Sequence, residues 1–65
     1  MDVYRGHLES MQTCLLGVDR DLRTILGLAA ADPVHFDGQI RWAYADLQRI
    51  GRMRTTLAQE LHEAQ

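Results

Sequence analysis

Seven apolar residues, Leu8, Met11, Leu15, Val18, Leu22, Ile25 and Ala29, recur at alternating spacings of three and four. This pattern lays one narrow apolar seam along a helix and does not suit a strand, whose side chains change face at every residue. A second run, Phe36, Ile40, Ala43, Leu47, Ile50, Leu57 and Leu61, has the same spacing with one polar interruption at Arg54. When the chain is folded back near Ala31–Asp32, the runs meet layer by layer. Leu8 faces Leu57, Leu15 faces Ile50, Val18 faces Leu47 and Leu22 faces Ala43, while Ile25 faces Ile40, Ala29 faces Phe36 and Tyr4 faces Leu61. In every pair the residue numbers have the same sum, which two unrelated stripes would seldom give. The sequence therefore predicts an all-α fold: an antiparallel, coiled-coil-like two-helix hairpin, one domain over residues 1–65, with helices at about 3–30 and about 33–63.

The ends and the turn are written locally. Asp2 is a suitable N-cap for the first helix, and Asp19–Arg23 and Asp37–Arg41 are favourably oriented i,i+4 pairs. In Ala31-Asp32-Pro33, Asp32 can cap the second helix while Pro33 takes its first position, where a missing N–H costs nothing. Pro33 also pushes Asp32 out of helical geometry, which ends the first helix just before it. Gly38 weakens the first turns of the second helix and makes Asp37 the alternative start. Gly6, Gly17 and Gly27 each cost up to about 1 kcal/mol relative to alanine. Gly17 falls opposite the seam and reads as a tolerated surface glycine, with close approach of another chain as the second reading.

A 65-residue chain is near the lower limit for folding unaided, and a hairpin buries only one stripe per helix. More surface must be covered elsewhere, by self-association or by a larger partner. The net charge of −2 argues against an electrostatic grip on nucleic acid. One cysteine, Cys14, makes no internal disulfide, so a reducing compartment is expected. The longest apolar stretch, around Leu26 to Ala31, is far too short to span a bilayer, and no basic segment followed by an apolar one marks a signal peptide. The expected location is cytoplasmic, with no membrane contact.

No phosphate-binding loop, nucleophile elbow, metal-spaced cysteine set or His-Glu-x-x-His motif occurs, so neither an enzyme nor a cofactor protein is indicated. His7 and His62 lie near the open end, where a metal would need Glu9 or Glu63 as a third ligand; solvated histidines are the simpler reading. His35 reads as a surface residue, and Cys14 as a half-buried small hydrophobe beside the seam. Arg54 falls in the seam layer opposite Met11. Its stem can lie on apolar neighbours while the guanidinium reaches water and fixes register; the other reading is a contact to a partner's acid. Arg49, Arg52 and Arg54 form a local basic cluster, but Asp46, Glu60 and Glu63 flank it.

The apolar residues that the seam leaves over point to a partner. They are Leu16, Leu26 and Leu28 on the first helix, with Cys14 at their flank, and Trp42, Tyr44 and Met53 on the second. Trp42 and Met53 are eleven residues apart and stand nearly in line along one side of a helix. A lone hairpin would leave them wet, which suggests an interface. The candidate partner-binding residues are Trp42, Met53, Arg49, Tyr44, Leu28 and Leu16.

A hairpin of this length with Phe36 near the start of its second helix, Ala45 nine residues later and a Leu8-Glu9 pair near its N-terminus resembles the E component of type III secretion needle assembly, the YscE/PscE-like co-chaperones. The inter-helix segment Ala29-Ala30-Ala31-Asp32-Pro33 stands where that family often has glycine. The resemblance implies a bacterial, cytoplasmic hairpin that joins a larger helical-repeat chaperone to keep the needle subunit monomeric, with the Trp42–Met53 face as the chaperone contact. Two alternatives stay open. A secretion needle or filament subunit shares the Asp-Pro turn of Asp32-Pro33, but would be expected to end in apolar residues, whereas this chain ends Glu60-Leu61-His62-Glu63-Ala64-Gln65. A Rop-like homodimer, a four-helix bundle that binds RNA, would need a basic outer face, and here Asp and Arg are interleaved.

Overall fold

The computed structural model describes residues 2–64, with side chains from Val3 to Ala64. Two helices, α1 (Asp2–Ala29) and α2 (Asp37–Glu63), pack antiparallel as a single hairpin. The expected cap at Asp2 concerns a side chain outside the described residues; its backbone is already helical. The hairpin measures 50 × 15 × 11 Å between Cα atoms, in keeping with helices that rise about 1.5 Å per residue.

Phe36, expected to face Ala29, is 38% exposed and precedes the helix, but from Ile40 onward the seam of α2 lies where the spacing placed it. Ala43 and Ile50 are buried at its centre, and Ile40, Leu47, Leu57 and Leu61 are half-buried beside them. Leu22, Ala43 and Ile50 form the central cluster, with Leu15, Ile25, Leu26 and Leu47 packed against it. Ala43 is 0% exposed. Having only a methyl group there lets α1 come close, while the Leu22 side chain fills the layer.

α1 is turned about its axis relative to the expected seam. Leu8, Leu22 and Ala29 are buried, yet Met11 and Val18 are 51% and 44% exposed, and Tyr4 is exposed too. On the other side of α1, Gln12, Asp19 and Leu26 are half-buried instead. Leu26 therefore belongs to the packing and not to the left-over surface, and Cys14 is exposed and not half-buried. The reason is geometric. On a helix whose contact line is Leu8–Leu15–Leu22–Ala29, a residue four further on stands about 40° from that line, and one three further on about 60° on the opposite side. The contact face thus favours Asp19 and Leu26 over Met11 and Val18.

Polar groups reinforce the turned position. Arg54 reaches the Oδ2 of Asp19 at 3.3 Å, and Arg23 holds the Oδ1 of the same carboxylate at 2.6 Å. Asp19 lies about two turns along α1 from Met11, the layer expected for Arg54. Arg54 is thereby engaged within the hairpin, tying the helices together on one flank. The hydroxyls of Thr13, Thr24, Thr55 and Thr56 all donate to carbonyls four residues back on their own helix, so they add nothing across the seam.

The connection differs from the expected continuous helix from residue 33. Ala31 and Asp32 donate to the carbonyls of Leu28 and Ala29, tightening the end of α1. Asp32 then caps a single turn: its Oδ1 accepts the His35 N–H at 3.2 Å, and its carbonyl accepts the Phe36 N–H at 3.0 Å. At Phe36 the backbone (φ −108°, ψ 26°) leaves helical geometry, and α2 starts at Asp37 without a side-chain cap. Asp32-Pro33 works as a cap, but on one isolated turn that carries the chain from α1 across to α2.

Gly17 offers a direct stability test. A Cβ added there meets nothing within 4 Å, so alanine removes the backbone-entropy cost without a clash. Gly17→Ala is expected to stabilise the hairpin by up to about 1 kcal/mol, raising Tm by about 4–8 °C in thermal melts followed by circular dichroism.

Candidate functional site

Turning α1 moves Met11 and Val18 onto the flank away from the Asp19–Arg54 pair. There they meet the side of α2 that carries Trp42, Arg49 and Met53. Two adjoining hollows share Leu15, Arg49 and Met53 and so form one groove. Met11, Arg52, Thr56 and Leu57 border its part nearer the open end, and Val18, Trp42 and Asp46 border the part nearer the turn. From Trp42 to Thr56 the groove runs about 21 Å along α2. A further hollow by the turn is lined by Ile25, Leu28, Ala29, Phe36 and Gln39.

Of the six candidate partner-binding residues, the structure brings Trp42, Arg49 and Met53 together in the groove. Leu28, 71% exposed, lies in the hollow by the turn. Leu16 and Tyr44 are exposed but line none of these hollows. Tyr44 follows Trp42 by two residues, about 200° around the helix, and Leu16 is about 100° from Leu15. Sequence reasoning missed Met11 and Val18 by assigning them to the seam. The spacing alone carried no signal for them, because it does not say where the contact line runs within the apolar stripe.

The groove carries one base in excess, since Arg49 and Arg52 line it with the single acid Asp46. Arg49 lies 3.8 Å from Asp46 on the next turn, and Arg54 is drawn away to Asp19, so the basic cluster expected at 49, 52 and 54 is divided between the two flanks. Among the described residues, no group of three or more His, Cys, Asp or Glu comes together as a metal cage. No helix is long and apolar enough to cross a membrane among those residues. What the arrangement offers chemically is apolar surface with a tryptophan at one end and paired charges at its rim.

At the open end, the Tyr4 hydroxyl donates to Oε2 of Glu60 at 3.0 Å. This bond, followed by the negative charges of Glu60 and Glu63, pushes the phenol pKa above its ordinary value. The neutral phenol is favoured in the folded state. Its contribution is therefore present below about pH 10 and lost as pH rises through the folded-state pKa. Spectrophotometric titration should show the Tyr4 midpoint falling back in Glu60→Ala; an unchanged midpoint would contradict the hydrogen bond.

Comparison with known proteins finds no matching family model, curated protein or solved structure.

Proposed function

We propose that the chain is a non-enzymatic interaction protein, a helical hairpin that works by burying its Trp42–Met53 groove against the helices of another protein chain. The observation that carries this reading is the contiguity of the groove's exposed apolar residues. The groove flank exposes Met11, Val18, Trp42 and Met53 side by side, while the opposite flank is closed by the Asp19–Arg54 pair. Contiguous apolar surface around a tryptophan is characteristic of a binding face. The resemblance to needle co-chaperones gives this role its specific form: a cytoplasmic partner of a larger helical chaperone in type III secretion, with the groove as the seat of that chaperone.

Affinity capture from the native host, wild type against Trp42→Ala, tests the proposal. Capture of the partner by the variant is expected to fall by about tenfold or more, the loss typical of an anchoring tryptophan, with far-ultraviolet helicity retained. Equal capture by both proteins would remove the groove from the function. Co-purification of a helical-repeat chaperone together with a needle subunit would support the secretion role, and a captured set lacking both would refute it.

A further inference from the structure

The geometry points to a second copy of this chain as the occupant of the groove when no other partner is present, so that two hairpins pack broad face to broad face as a four-helix bundle. The inference rests on the groove being a protein-binding face, and it adds the identity of one ligand. The first argument is area. The hairpin exposes 5023 Å², whereas a compact monomer of 7.4 kDa would expose about 4,200 Å². The excess, about 800 Å², is what each partner loses in an interface of standard size. The broad face, 50 by 15 Å between Cα atoms, has the dimensions to supply it.

The second argument is charge. Of the charged residues that line the groove, Asp46 stands 3.8 Å from Arg49, and Arg52 is one base in excess. A groove with a single excess charge has little net field with which to select a polyanion, and it repels its own copy only weakly. A two-fold axis crossing α2 between Asp46 and Arg49 sets the acid of each copy near the base of the other, reciprocally as in any isologous contact. Packing of this kind gives each helix a second buried stripe, which a lone hairpin lacks.

Sedimentation equilibrium of the full chain, with Trp42 fluorescence recorded on the same samples, tests the inference. The expected result is a mass of twice 7.4 kDa at micromolar concentrations, with Trp42 emission shifting to the blue as the mass doubles. Trp42 is 53% exposed in one hairpin, so its burial reports coverage of the groove without any substitution. Trp42→Glu is expected to weaken the dimer by about a hundredfold or more, because each change counts twice across a two-fold axis. Leu16→Glu, equally charged but outside the groove, should leave the dimer intact. A folded wild-type monomer at every concentration overturns the self-pairing, and the groove then stands or falls on the Trp42→Ala capture comparison. A dimer whose Trp42 emission never shifts, or one that Leu16→Glu dissociates and Trp42→Glu does not, overturns the inference together with the groove as its site.

Discussion

Leu22→Asp is expected to unfold the hairpin outright. Leu22 is 5% exposed and sits in the central cluster with Ala43 and Ile50. The substitution forfeits about 1.5–3 kcal/mol of apolar burial and places a carboxylate in a layer with no partner for it. The sum, about 4 kcal/mol or more, belongs to the exceptional class of point substitutions. A chain of this size has only about 3–10 kcal/mol of stability to lose. Circular dichroism should show most of the helical signal gone at room temperature. Val18→Asp is the informative contrast. The layer pattern of the sequence gives Val18 the same standing as Leu22, but at 44% exposure its substitution should cost about 1 kcal/mol or less and leave the helices formed. Equal unfolding by both variants would restore the unturned seam and contradict the structure.

The second large effect is expected from adding volume. Ala43→Leu inserts three heavy atoms at the one described position that is 0% exposed, directly where Leu22 and Ile50 meet. Overpacking of a filled layer costs about 1–3 kcal/mol and occasionally more. In a hairpin with a single seam the helices can relieve the clash only by separating, which loosens the neighbouring layers as well. Denaturant unfolding should show a marked fall in midpoint for Ala43→Leu and almost none for Ala45→Leu, where the alanine is exposed. A neutral Ala43→Leu would mean that the helices are not in close contact at this layer.

The fold was legible because both seams are written in the same register. Leu22 and Ala43, and Leu15 and Ile50, were paired by residue number alone, and each of these pairs falls within the central cluster or its packing shell. The Asp19–Arg23 and Asp37–Arg41 pairs were equally readable, since i,i+4 spacing is local, and both close to 2.6 Å. The rotation of α1 was not legible. A three-four pattern states which residues are apolar but not where the contact line runs within a stripe that wide. The choice depends on Asp19, whose polarity made it look like surface, and on its ion pair with Arg54. The first choice for the start of α2, Pro33, was misplaced for a related reason, and the alternative at Asp37 is where the helix begins. Asp32-Pro33 is a sound cap, but the sequence does not say that Phe36 leaves helical geometry after one turn.

Much of the groove followed from the same misjudged rotation. Trp42, Arg49 and Met53 were identified because α2 behaves as its spacing implies. Met11 and Val18, which complete the groove, had been spent on the seam. Leu16 and Tyr44 were grouped with them on hydrophobicity alone, and helix geometry separates them from Trp42 and Leu15. An exposed apolar residue marks a binding face only when its neighbours in space are apolar too.

The most direct test of the account is oxidative footprinting of the protein alone and in the complex captured from its host. Free protein, diluted until it is a single hairpin, should be modified at Met11, Trp42 and Met53, and Leu22 and Ile50 should be protected. In the complex, Met11, Trp42 and Met53 should become protected together while Leu16 and Tyr44 stay open. Protection of Leu16 and Tyr44 with Trp42 still modified would contradict the account.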